Sequence, residues 1–127
     1  MQEPKFYEYA IIRLVPRVER QEFINVGLIL YSKDGKFLKS RTHVNPKKIN
    51  CFDSELDMHE VERNLDAFDN ICAGKKEAGP IALKDLPSRF RWLTAQRSSS
   101  IQTSRPHVGS SVDLERTFDR LFKELVL

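Results

Sequence analysis

Two dense apolar runs open the chain, and helical stripes close it. Phe6 to Val15 and Phe23 to Tyr31 are rich in Ile, Val, Leu, Phe and Tyr, types that suit a pleated, packed surface. Neither run alternates cleanly. In the first, Tyr7, Tyr9, Ile11 and Val15 fall on one side of a strand, and Phe6, Ala10, Ile12 and Leu14 on the other. Apolar residues on both sides imply a strand covered twice, or one covered once and paired with another subunit. Pro16 ends the first run, because it brings no N–H to a ladder. In the second run, Asn25 and Gly27 are read on one face with Phe23, Ile29 and Tyr31. Gly27 leaves room there for a helix, a backbone or a ligand. Asn25 needs hydrogen-bond partners if buried. A bulge with a satisfied polar residue and a small polar pocket both fit this pattern.

The five residues Arg17 to Gln21 are too few for a parallel crossover, so the two strands are expected to pair antiparallel. Ser32-Lys33-Asp34-Gly35-Lys36 reads as a hairpin turn. A third strand is expected over about Phe37 to Val44, with Lys36, Lys39, Arg41 and His43 on an exposed face or edge. Asn45-Pro46 reads as cap and first residue of a short helix. A longer helix, capped by Asp53 or Ser54, carries Met58, Val61, Leu65, Phe68 and Cys72 along one side and stops at Gly74. Pro87 opens a short helix to about Ala95. The segment 97–111 is polar and reads as either a fourth strand or a loop. Asp113 caps a last helix with Leu114, Phe118, Leu121, Phe122 and Leu125 in a stripe. The expected architecture is one α+β domain over 1–127: a small antiparallel sheet of three to four strands (about 6–44) with helices packed on one face.

Composition adds a charge pattern. The 127 residues carry a net charge of +3, but unevenly. Residues 1–52 hold 10 Lys/Arg against 5 Asp/Glu, residues 53–77 hold 3 against 8, residues 78–112 hold 5 against 1, and residues 113–127 hold 3 against 4. Basic segments thus alternate with acidic or near-neutral ones, which either pair with each other or present a basic surface to an anionic partner. No apolar run is long enough for a membrane span and no secretory leader is visible, so a cytoplasmic protein is expected. Cys51 and Cys72 match neither a redox nor a zinc spacing, and neither a metal nor a cofactor is expected.

No nucleotide loop, zincin motif or nucleophile elbow occurs. Ser98, Ser99, Ser100, Gln102, Ser104 and His107 gather beside Arg97 and Arg105. A Ser–His nucleophile would also need an orienting acid and an oxyanion site, which no motif supplies. Arg13, Arg17, Arg20 and Arg41 lie on or beside strands, where a guanidinium either recognises carboxylate or phosphate or pairs with Glu19 and Glu22. The candidate binding set is Arg13, Arg17, Asn25, Arg41, Arg97, Ser98, Gln102 and His107.

Three stretches carry a family resemblance: YEYAIIRLVPRVERQEFINVGLILY, GPIALKDLPSRFRWLTAQRSSSIQTSRPHVG and LERTFDRLFKELV. They resemble the bacterial family known as domain of unknown function 3037, over nearly the whole chain. The second stretch is the most specific, through Arg89-Phe90-x-Trp92-Leu93-Thr94-Ala95, Arg97-Ser98, Gln102 and His107-x-Gly109. Two positions depart from the family pattern: Gln96 stands for a Pro, and Asp113-Leu114 for an Asp-Pro helix start. The resemblance implies a bacterial protein with no assigned activity, whose relatives are often encoded near a HipA-like kinase. A non-catalytic interaction or accessory module with a protein partner, kinase-like or a second copy, is therefore the leading expectation. A small-ligand or nucleotide site built from the Arg/Ser/Gln/His set is the alternative. Nucleic-acid binding comes after both, because few aromatic residues interleave with the basic charge.

Overall fold

A computed structural model describes residues 3–52, 56–95 and 100–127. Strand β1 (Lys5–Leu14) pairs antiparallel with β2 (Ile24–Ser32), and β2 with β3 (Phe37–Thr42). The linker between β1 and β2 holds one 3-10 turn, Val18–Arg20. Helices α1 (Pro46–Phe52), α2 (Met58–Cys72) and α3 (Leu86–Leu93) follow. The chain then returns to the sheet as β4 (Ile101–Thr103) and β5 (His107–Ser111), and closes with α4 (Leu114–Leu125).

The segment 97–111 thus contains strands. Both lie along the free side of β1, β4 beside Ile12–Leu14 and β5 beside Lys5–Tyr9. Together they form one edge strand broken near Ser104, giving the order β3-β2-β1-β4 with β5 also on β1. At the break the buried Ser104 replaces a ladder bond. Its Oγ accepts from the Ile11 amide at 2.9 Å, while its own amide donates to the Ile11 carbonyl at 2.9 Å. Pro106 cannot donate, so a change of register there loses little.

Strand β2 is buried on both faces, whereas β1 is buried from Ala10 onward on its α2–α3 face and mostly half-buried on the other. Ala10, Ile12, Leu14, Ile29 and Tyr31 pack with Val61, Leu65, Phe68 and Cys72 of α2 and with Phe90 and Leu93 of α3. Tyr7, Leu28 and Leu30 pack with Leu114, Phe118, Leu121 and Phe122 of α4. The α+β architecture with an antiparallel sheet stands, but the sheet has five strands among the described residues rather than the expected three to four. The expected one-sided helical layer does not stand, because α4 covers the opposite face.

A second correction concerns Asn25 and Gly27. The pairing Ile12↔Gly27 is followed by Arg13↔Asn25, so β2 carries one extra residue, Val26, in a bulge. The extra residue reverses the facing of everything before it. Val26 and Ile24 join Ile29 and Tyr31 in the α2 core, and Asn25 moves to the α4 side. The position of Gly27 is explained by a backbone. A Cβ there would lie 2.8 Å from the Arg41 carbonyl oxygen.

Helix α2 starts at Met58 under an Asp57 cap, whose carboxylate accepts from the amides of His59 and Glu60. The expected caps Asp53 and Ser54 lie outside the described residues. Its buried stripe, Val61, Leu65, Phe68 and Cys72, is the one its periodicity predicts.

A small polar contact fixes α2 to β3. Ser40 Oγ donates to Asp69 Oδ1 at 2.6 Å, and Thr42 Oγ1 donates to Oδ2 at 3.1 Å. Burial raises the Asp69 pKa above its ordinary value, against the opposing effect of these two hydroxyls. The folded chain therefore holds this proton more tightly than the unfolded chain. The stabilisation is present in full at low pH and is lost as pH rises through the folded value. Asp69→Asn is expected to match or exceed the wild-type urea midpoint at pH 7 and to lose that advantage near pH 3. Asp69→Ala, which strands both hydroxyls, is expected to cost about 1–3 kcal/mol at pH 7.

One turn further along, burial pushes the Cys72 thiol up to about 11. Cys51 is exposed, and both thiols are free. A thiolate-specific reagent at pH 8 is expected to label Cys51 in the native protein and Cys72 only after denaturation, a difference that peptide mapping reads directly.

Candidate functional site

Helix α4 covers the β2–β3 half of its face. The half formed by β1, β4 and β5 is left partly open. There, one row of the sheet runs Gln102, Arg13, Asn25, each opposite the next. The Arg13 guanidinium lies over the exposed Phe23 ring, 4.1 Å from its centre. Asn25 Nδ2 donates to the Leu125 carbonyl at 3.2 Å, which satisfies one of the last carbonyls of α4. Arg13 Nε and Asn25 Oδ1 are buried without a partner among the described residues. Further along the same face, His107 pairs with Tyr9, their rings 5.3 Å apart. A shallow depression of about 420 Å³ lies beside the row, lined by Phe23, Ile24, Asn25, Lys48 and Cys51.

The fold therefore gathers Arg13, Asn25 and Gln102, whereas His107, opposite Tyr9, lies farther along β1 on the same face and is not brought to them. Arg41 is on the same face but lies against α4. Its guanidinium bonds Asp119 at 3.1 Å and rests over Phe118 and Phe122. Lys39 makes the matching pair with Glu115 at 2.8 Å. The basic charge of β3 is thus met by the acids of α4. Arg17 is exposed in the β1–β2 linker, and its neighbour Arg20 pairs with Glu22. Arg97 and Ser98 lie outside the described residues. Ser104 is committed to the Ile11 amide and the Arg105 carbonyl. No group of three His, Cys, Asp or Glu side chains suited to a metal occurs among the described residues. No described helix is long and apolar enough to cross a membrane.

The other face of the same edge holds residues that strand periodicity alone did not single out. Phe6 and Val108 are 73% and 79% exposed. They belong to the α2–α3 face, beyond the reach of α3. From α3, Arg91 reaches that face with a two-pronged bond to the Glu8 carboxylate, at 2.9 and 2.7 Å. The adjoining strand, His107-Val108-Gly109-Ser110-Ser111, carries no Lys, Arg, Asp, Glu or Pro. The opposite edge strand, β3, carries Lys39 and Arg41. Charged residues guard an edge against added strands, so the two edges differ in kind. The signal was present in the sequence as an uncharged run, but only the register places it on an edge.

The architecture defines an α+β protein with helices on both faces of its sheet and, among the described residues, an open edge along the uncharged strand β5. The chain belongs to the family described as protein of unknown function DUF3037, whose model matches residues 9–126. No curated protein and no solved structure matches it.

Proposed function

We propose that the protein is a non-catalytic interaction module that accepts an extended segment of a protein partner along the β5 edge. The observation that carries this reading is the uncharged edge strand with Phe6 and Val108 exposed beside it. A strand added to a sheet edge gains backbone hydrogen bonds and sends alternate side chains to the two faces. On one face they would meet Phe6 and Val108. On the other they would meet Tyr9 and His107, with the Arg13 row beyond. The hydroxyl of Ser104 and the guanidinium of Arg41 are occupied by structural bonds, which favours binding over bond-making chemistry. The free thiols of Cys51 and Cys72 suit a reducing bacterial cytoplasm.

The test compares wild type with Val108→Lys, a change at a side chain that makes few contacts. Proteins captured at native expression levels by wild type but not by the variant would be purified and recombined with it, a HipA-like kinase being the first to try. Slowed amide exchange in β5 within the reconstituted complex is the expected result. Identical capture by both proteins, or unchanged β5 exchange in the complex, would refute the reading.

A second reading is a small carboxylate or phosphate ligand at the Gln102–Arg13–Asn25 row, favoured by the unpartnered Arg13 Nε and Asn25 Oδ1. Calorimetric titration with simple carboxylates and phosphates tests it. Binding abolished by Arg13→Gln would support it, and no heat at millimolar concentrations would remove it.

A further inference from the structure

Resting on the reading of β5 as an acceptor edge, we infer that one strand it accepts is β5 of a second copy, paired antiparallel about a two-fold axis at Gly109. The strand runs from His107 to Ser111, so Gly109 is its centre and this register uses all five residues. Two-fold pairing then sets His107 opposite Ser111 of the second copy, Val108 opposite Ser110, and Gly109 opposite Gly109. No like charges are apposed in any of these pairs.

The neighbouring strand extends the match. Phe6 stands opposite Ser110 within one copy, and Glu8 opposite Val108. Each row across the dimer therefore reads Phe6, Ser110, then Val108 and Glu8 of the second copy. Ser110 is the small residue between two exposed apolar ones, so the Phe6 ring can lean across it towards Val108 of the second copy. The symmetry makes this contact twice. On the reverse face the Tyr7 ring already lies over Gly109, where an added Cβ would come within 2.5 Å of it. Dimer formation places the two Tyr7–Gly109 pairs side by side. The outcome is one continuous sheet through both copies, with the two charged β3 edges outermost.

A five-residue edge with one apolar contact on each side is small for a protein interface, so association is expected between about 1 µM and 1 mM. Sedimentation equilibrium of the full chain across that range, combined with amide exchange at its two ends, tests the inference. The expected result is a monomer–dimer equilibrium with β5 amides protected at high concentration. Val108→Lys should weaken it at least about tenfold with the melting curve of the monomer unchanged, and Val108→Ile should preserve it within about threefold. A chain monomeric throughout, yet protected at β5 by a reconstituted heterologous partner, overturns the inference and leaves the acceptor-edge reading standing. A dimer that Val108→Lys does not weaken, with β5 amides exchanging as in the monomer, also overturns it. No self-association together with no β5 protection by any captured partner overturns both.

Discussion

Phe118→Ala is expected to lower the unfolding free energy by about 3–5 kcal/mol, the range for truncating a buried aromatic residue. Phe118 is wholly buried among Leu28 and Leu30 of the sheet and Leu121 and Phe122 of its own helix. Its ring stacks on Phe122 at 6.4 Å and lies under the charged ends of Lys39 and Arg41, each 5.0 Å from its centre. Truncation removes apolar burial from one layer and the cation–ring contacts that tie β3 to α4. A domain of this size is stable by about 5–15 kcal/mol, so the variant would be marginal. Urea unfolding followed by circular dichroism measures the loss. Phe90→Ala, on the opposite face, should cost a similar amount, since Phe90 is equally buried and stacks on Tyr31 at 5.2 Å. Comparable losses from the two faces would establish α4 as a full structural layer. A Phe118→Ala midpoint unchanged from wild type would show that α4 merely rests on the sheet.

The same two-sidedness shows where sequence reasoning succeeds. Runs such as Ile24 to Tyr31 lack the alternation of a half-exposed strand, and in β2 burial on both sides accounts for that. The stripes of α2 and α4 were legible because 3.6-residue spacing leaves few alternatives. Which face α4 would choose was not legible, because its stripe fits any apolar surface of suitable width. The facing of Asn25 was lost for a different reason. One extra residue at Val26 reverses the parity of the strand before it, and a periodic reading has no means of locating that residue. The hint was Gly27, since a glycine within a strand often marks a bulge or a close backbone. Here the close backbone is at Gly27 and the bulge one position earlier.

The candidate site was half legible on similar grounds. Arg13 and Asn25 were singled out as polar residues on apolar strands and Gln102 as part of the polar segment 97–111, and register brings the three into one row. Arg41 met the same criterion, but its partner Asp119 is 78 residues away in sequence, beyond any local pattern. Phe6 and Val108 were passed over because exposed apolar residues are indistinguishable from core ones until strand order is known. The negative signal, a strand with no charge and no proline, acquires meaning only once β5 is found at an edge while β3 at the other edge is charged.

Gly27→Val is expected to cost more than about 3 kcal/mol, at or beyond the upper end for overpacking. A Cβ at this position would lie 2.8 Å from the Arg41 carbonyl oxygen, 2.9 Å from Ile12 Cδ1 and 2.9 Å from Thr42 Cγ2. The side-chain contacts can be relieved, because Ile12 and Thr42 can change rotamer or be shortened. The Arg41 carbonyl cannot retreat without parting β3 from β2, since Leu28↔Arg41 and Gly27↔Thr42 are consecutive pairs of that ladder. The bulge adds to the constraint. The His43 amide donates to the Val26 carbonyl at 2.7 Å, so β3 is held against β2 on both sides of the glycine. Gly27→Ala should therefore cost less than valine but still about 1–3 kcal/mol. Adding Ile12→Val to Gly27→Ala removes the Cδ1 contact and should recover only part of the loss. Urea midpoints of the two single variants and the double variant separate the side-chain share from the backbone share. Complete recovery in the double variant would place the strain in Ile12 alone, whereas a residual deficit accompanied by faster amide exchange in β3 locates it where β2 and β3 come closest.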